Sequence, residues 1–201
     1  MKTIKNIITG NYYNKYKSNY LLDKYFVNKY KNAFINIISK LEMKSVLEIG
    51  SGEGFILNYL LNNKNINLII GSDIELEYVN LYSNIYFNIR GVLCIGEQLP
   101  FCDKIFDLVL LCEVLEHVNQ PIKVIKEATR VSKDKILLTI PYEPFWRIMN
   151  LLRFKYISSF GNTPGHINHW SYRSIKLFLE EYMTIEVIQI VFPWIFILGT
   201  Y

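Results

Sequence analysis

Cysteine is scarce and badly spaced for the roles that need it. Only Cys94, Cys102 and Cys112 occur in 201 residues. They are odd in number and form no C-x-x-C pair, so neither a disulfide framework nor a thiolate zinc site is expected, and a reducing cytoplasm fits best. Strong charge of either sign is also missing. The formal net charge of +4 is spread along the chain, and basic runs such as Lys15-Tyr16-Lys17 and Lys29-Tyr30-Lys31 are short and isolated. A solvated face explains them better than a surface for nucleic acid or anionic lipid. Long apolar runs are lacking too. The most apolar segment, Ile185 to Gly199, is broken by Glu186, Gln189 and Pro193 and falls short of the roughly 20 residues that span a bilayer, so it reads as core strands. Met1-Lys2-Thr3-Ile4-Lys5 gives way to Asn and Tyr rather than to an apolar segment, so no secretory leader is expected. No internal repeat is visible.

What is present suits one α/β domain over residues 1–201. The 51% hydrophobic content is enough for a sizeable core. Residues 1–20 carry Tyr12, Tyr13, Tyr16 and Tyr20 among Asn, Lys and Ser, and read either as a frayed terminus or as an arm over a pocket. Leu22, Tyr25, Phe26, Tyr30, Phe34, Ile37, Ile38 and Leu41 follow helical spacing. Strands are expected at Ser45–Ile49, Ile66–Asp73, near Gly91–Ile95, at Phe106–Cys112 and at Ile136–Pro141. Helices are expected at about Glu53–Asn62, at Pro121–Val131 and at Phe145–Phe154, and Ser171 caps one more through Leu179. Ile185–Val191 and Trp194–Leu198 read as two strands joined at Phe192-Pro193. The chain thus divides into an N-terminal lid and helix (1–41), a cofactor-binding core (45–142), a substrate-side helix and loop (143–183) and a terminal hairpin (184–201).

The stretch Val46-Leu47-Glu48-Ile49-Gly50-Ser51-Gly52-Glu53-Gly54 reads as strand, tight turn and helix start. Two cofactor classes use such a loop. A dinucleotide fold wants G-x-G-x-x-G, but Phe55 stands where the last Gly would fall. Glu48 precedes the glycines, and a carboxylate there repels a pyrophosphate while suiting a ligand with an ammonium or sulfonium charge. Asp73 lies 19 residues past Gly54, about the interval at which a βαβ unit presents an acid to a cofactor ribose. An N-cap for the next helix is the other reading of Asp73.

The pattern E-x-G-x-G-x-G resembles motif I of class I S-adenosylmethionine (SAM)-dependent methyltransferases. Leu99-Pro100-Phe101, the apolar run at Phe106–Cys112 and Glu113-Val114-Leu115-Glu116-His117-Val118 resemble the type 11 group of that family. The resemblance implies a Rossmann-like seven-stranded sheet, parallel except for one strand of the C-terminal hairpin, with helices on both faces. It implies SAM as cofactor, held by Glu48, Gly50, Ser51, Gly52, Gly54 and Asp73, with Cys112 in the same site. Ile95, Gly96 and Glu97 would border the adenine. Ile95 replaces the Asp or Asn that commonly bonds the adenine amine, so backbone groups and apolar packing are expected to serve instead.

Glu113, Glu116 and His117 stand at i, i+3 and i+4, one face of a helical turn, just past the fourth strand. His166 and His169 follow the fifth strand and should reach the same rim. Three readings stay open: a divalent metal such as Mg held by Glu113, Glu116 and His117, a metal-free general base among His117, His166 and His169, or ordinary wall. A similar Glu-x-x-Glu-His with a downstream His occurs in small-RNA 3′-terminal 2′-O-methyltransferases, so nucleic acid is a possible but not favoured acceptor. The tyrosines, Trp146 and the aromatic C-terminal segment point to a small apolar, aromatic or lipid-like acceptor, with oxygen as the preferred atom. A SAM-binding subunit without catalysis and an NAD(P)-binding reductase are the rivals from other classes.

Overall fold

A computed structural model describes residues 21–61, 63, 65–85 and 88–201. The tyrosine-rich arm at 1–20 lies outside the described residues. The elements are α1 (Leu21–Ile38), β1 (Ser45–Ile49), α2 (Phe55–Leu60), β2 (Leu68–Asp73), α3 (Leu76–Ile85), β3 (Ile89–Leu93), β4 (Phe106–Cys112), α4 (Pro121–Val131), β5 (Ser132–Pro141), α5 (Phe145–Leu152), α6 (Tyr172–Glu180), β6 (Thr184–Val191) and β7 (Trp194–Thr200). The seven strands lie in the order β3-β2-β1-β4-β5-β7-β6. All neighbours are parallel except where β7 runs antiparallel to β5 and β6, the expected single reversed strand. Among the described residues no helix is long and apolar enough to cross a membrane.

The apolar run of β4 follows from burial on both faces. Val109 and Leu111 point into a core shared with Val124, Ile125 and Ala128 of α4 and with Ile175 and Leu179 of α6. Leu108 and Leu110 point to the other side, into a core with Tyr30, Phe34, Ile37 and Ile38 of α1 and Leu57 and Leu60 of α2. Two helix layers therefore sandwich the sheet, and the loops after β1, β2, β4 and β5 gather at its C-terminal rim, where an open α/β sheet binds ligands.

α1 is positioned from within the core. Tyr30 is 1% exposed, packs against Trp194 and Phe196 with ring centroids 5.2 and 4.7 Å away, and its hydroxyl is 2.8 Å from Thr139 Oγ1. The buried stripe is shorter than its spacing suggests. Leu22 and Tyr25, expected on it, are 62% and 55% exposed, because the first turns of α1 reach the rim, where Phe26 meets Phe192 and the guanidinium of Arg153.

Candidate active site

The loop after β1 is built by backbone shape. Gly50, Gly52 and Gly54 all have positive φ (68°, 50° and 77°), the left-handed region that costs most residues 1–2 kcal/mol or about that. At Gly50 space is also short, since a Cβ would lie 2.8 Å from Val114 Cγ2. The loop is tied to β2 by Ser51, whose amide donates to Ser72 O at 3.0 Å, and by Ser72, whose hydroxyl donates to Glu48 O at 3.1 Å. Asp73 closes the arrangement. One carboxylate oxygen accepts from the Gly52 amide at 2.8 Å and the other from the Glu75 amide at 3.0 Å, so it locks the glycine loop and caps the entry to α3 together.

Glu48 is 1% exposed, and its Oε2 is buried without a hydrogen-bond partner among the described residues. Burial, reinforced by the nearby charge of Asp73, holds its carboxyl well above the usual carboxylate range. Burial raises Asp73 as well, against the pull of its amide donors. Burial thus raises both acids that line this one cavity.

That cavity holds about 570 Å³, within the range of small-molecule sites. Glu48, Gly50, Ser51, Gly52, Asp73, Ile95, Gly96, Glu97 and Cys112 all line it; Gly54 does not, and instead begins α2, its carbonyl accepting from the Asn58 amide. The 95–101 loop is held from behind. The Leu99 amide donates to Glu127 Oε2 at 2.7 Å, and Arg130 donates to the carbonyls of Leu99 and Phe101. Gly96 seats this loop on the core, since a Cβ there would lie 3.1 Å from Ile49 Cγ2.

On the other side of β1 and β4 the wall is made by His117, Trp146, Met149, His166 and Trp194. The expected helical face of Glu113, Glu116 and His117 does not form. Glu113 has φ 59°, and only the turn Val114–His117 closes, with the His117 amide donating to Val114 O at 2.9 Å. Glu113 lines the cavity apart from the other two, while Glu116, His117 and His166 come together, their ligand atoms within 4.8 Å of one another. His117 Nδ1 is 2.9 Å from Gly165 O; a carbonyl only accepts, so Nδ1 carries a proton. His169 turns away and stands 3.7 Å from Glu143 Oε1, outside the cavity lining.

Two of these placements depend on residues that spacing alone did not single out. Asn168 donates to the carbonyls of Leu115 and Val118, both at 2.8 Å, and the Ile167 and Asn168 amides donate to Glu116 O. Asn150 and Trp146 Nε1 both donate to Thr163 Oγ1. The loop carrying His166 is thereby clamped to the β4 turn and to α5. Only its density of Asn, Gly and Pro hinted at so ordered a structure.

The comparisons agree with this geometry. Residues 47–139 match the family model described as "Methyltransferase domain". An uncharacterized protein of Methanocaldococcus jannaschii is 34% identical over 135 residues, 65% of this chain and 61% of that protein. The ubiquinone/menaquinone biosynthesis C-methyltransferase UbiE of Rickettsia typhi is 33% identical over 115 residues, 52% of this chain and 46% of that enzyme. The chain thus spans about half the length of the curated relatives it matches. Among solved structures, a SAM-dependent methyltransferase from Aquifex aeolicus superposes with a TM-score of 0.65 at 16% identity, covering 83% of this chain and 88% of that one. Residues 47–139 thus match the methyltransferase-domain family, and the fold around them is one that a SAM-dependent methyltransferase of known structure shares.

Proposed function

We propose that the chain transfers the methyl group of SAM to an oxygen of a small acceptor with an apolar or aromatic body. The observation that carries this reading is that one cavity is lined both by the cradle of Glu48, Gly52 and Asp73 and by a wall of Trp146, Met149, His166 and Trp194. The cradle fits SAM: Glu48 would face the ammonium, Asp73 the ribose, and the Ile95–Glu97 segment the adenine. When bound, SAM supplies an electrophilic methyl group on a sulfonium. The protein's part is to hold the acceptor oxygen in line, exclude water and take up a proton. His117 suits the last task, because it lines the cavity and Gly165 O holds its Nδ1 side in place. The substrate-side segment 143–183 supplies the rest of the acceptor wall.

The Glu116, His117 and His166 group favours a second reading, in which a divalent ion orients an acceptor hydroxyl, an RNA 2′-hydroxyl included. Two imidazoles and a carboxylate suit Mn, Fe or Zn better than Mg. Incubation with methyl-tritiated SAM and cell extract separated into lipid, RNA, protein and small-molecule pools, with and without EDTA, decides between the two. The first reading expects label in the small-molecule or lipid pool, unchanged by EDTA and reduced about 100-fold by His117→Ala. Label in RNA that EDTA abolishes establishes the second. Silence in every pool, with S-adenosylhomocysteine (SAH) bound, identifies a non-catalytic subunit.

A further inference from the structure

α5 ends where the Arg153 amide reaches the carbonyls of Met149 and Asn150, and the chain then enters an unusual turn. Phe154 and Tyr156 have φ of 55° and 53°, left-handed conformations in residues that seldom adopt them. The result is an alternation: Phe154 is 84% exposed, while Arg153, Lys155 and Tyr156 line the cavity. The turn thus brings two cations into a cavity that Glu48, Asp73 and Glu97 also line.

The Arg153 guanidinium lies over the Phe26 ring, 5.8 Å from its centroid, and its Nη1 pairs with the buried Asp23 at 3.1 Å. Its Nη2 is buried with no hydrogen-bond partner among the described residues. Such a buried donor is costly while it lacks an acceptor. Lys155 is close enough to feel both Asp23 and Arg153, and burial holds its ammonium below the usual lysine range. The planar guanidinium is already oriented by Asp23 and Phe26, as recognition of an oxyanion requires.

We infer that Arg153 and Lys155 form an anion-binding subsite for a carboxylate or phosphate carried by the methyl acceptor. The acceptor is then an amphipathic molecule, with its apolar or aromatic body against Trp146, Met149 and Trp194 and its anionic group on Arg153. This rests on the cofactor reading above. The same chemistry would also suit the carboxylate of the cofactor's methionine end; the acceptor is favoured because Arg153 follows α5, which carries Trp146 and Met149 of the apolar wall.

The test is calorimetric titration of phenyl phosphate into protein saturated with SAH, for wild type, Arg153→Gln, Arg153→Lys and Lys155→Met. Wild type should bind it saturably, Arg153→Gln and Lys155→Met should weaken it about tenfold or more, and Arg153→Lys should retain part of the affinity, with SAH affinity changed less than twofold throughout. Lys155→Met carries the test if loss of the Asp23 pair unfolds the Arg153 variants. A tenfold loss of SAH affinity in Arg153→Gln, with methylthioadenosine bound equally by both proteins, would assign the subsite to the cofactor's carboxylate and overturn the acceptor assignment. Phenyl phosphate bound no better by wild type than by either neutral variant, with SAH affinity intact, would reduce Arg153 to a structural partner of Asp23. Failure of wild type to bind SAH at all would instead defeat the underlying cofactor reading.

Discussion

Replacing Gly52 with Arg should lower SAH affinity at least 100-fold while leaving the protein folded. Gly52 sits at φ 50°, lines the cavity and donates its amide to Asp73 Oδ2 at 2.8 Å. A long cationic side chain there would enter the space the cofactor needs and approach Glu48 and Asp73 as a competing cation. The cost to the fold is that of one non-glycine residue in a left-handed conformation, about 1–2 kcal/mol, which in a chain of this size lowers the Tm by roughly 2–8 °C. Isothermal titration beside a thermal melt separates the two effects. Retained SAH affinity in a folded Gly52→Arg protein would show that this loop does not hold the cofactor.

Glu48→Gln should split affinity from stability in the opposite direction. The Glu48 carboxyl is held well above its ordinary value of 4.5, first by burial and then by Asp73. The unfolded chain therefore ionises this group at lower pH than the folded one does, and folding stability falls as pH rises from about 4.5 through the folded-state pKa. Glutamine removes that loss. The variant should melt close to wild type near pH 4.5 and gain an advantage in Tm that grows as pH rises towards 8. Its SAH affinity should fall about 10–100-fold at the same pH, because a charge-assisted contact to the cofactor ammonium is lost. Wild type, which must ionise Glu48 to make that contact, should release a proton on binding SAH. Equal binding enthalpies in buffers of different ionisation heat would contradict this role.

The parts of the fold that follow from local periodicity and short-range turn chemistry were legible in the chain. The continuous apolar run of β4 announces a strand buried on both faces, and the step from alternating glycines to Phe55-Ile56-Leu57 announces the β1–α2 turn. Strand limits moved where pairing overrode composition. β5 starts at Ser132, four residues before its apolar run, because β4 extends far enough for Phe106 to pair with it. The acidic turn after β4 was misread for a different reason: i, i+3, i+4 spacing describes one face only if the helix exists, and the positive φ of Glu113 breaks it.

Long-range polar contacts were not legible at all. Arg130 pinning the loop at Leu99, Asn168 bridging to Leu115, and Asp23 meeting Arg153 each join residues far apart in sequence, and nothing in either partner's neighbourhood names the other. Three histidines in two segments pointed to one rim, but which of them meet depends on the clamp by Asn150, Thr163 and Asn168. His117 and His166 are brought to 4.8 Å between ring centroids, while Glu143 takes His169.

Titration of the purified protein with SAH, with NADH as the control, tests the cofactor assignment most directly. Saturable one-to-one binding of SAH with no heat from NADH is the expected result, since Phe55 and Glu48 both disfavour a pyrophosphate at this loop. Binding of NADH without SAH would contradict it and return the chain to the dinucleotide-binding reductases.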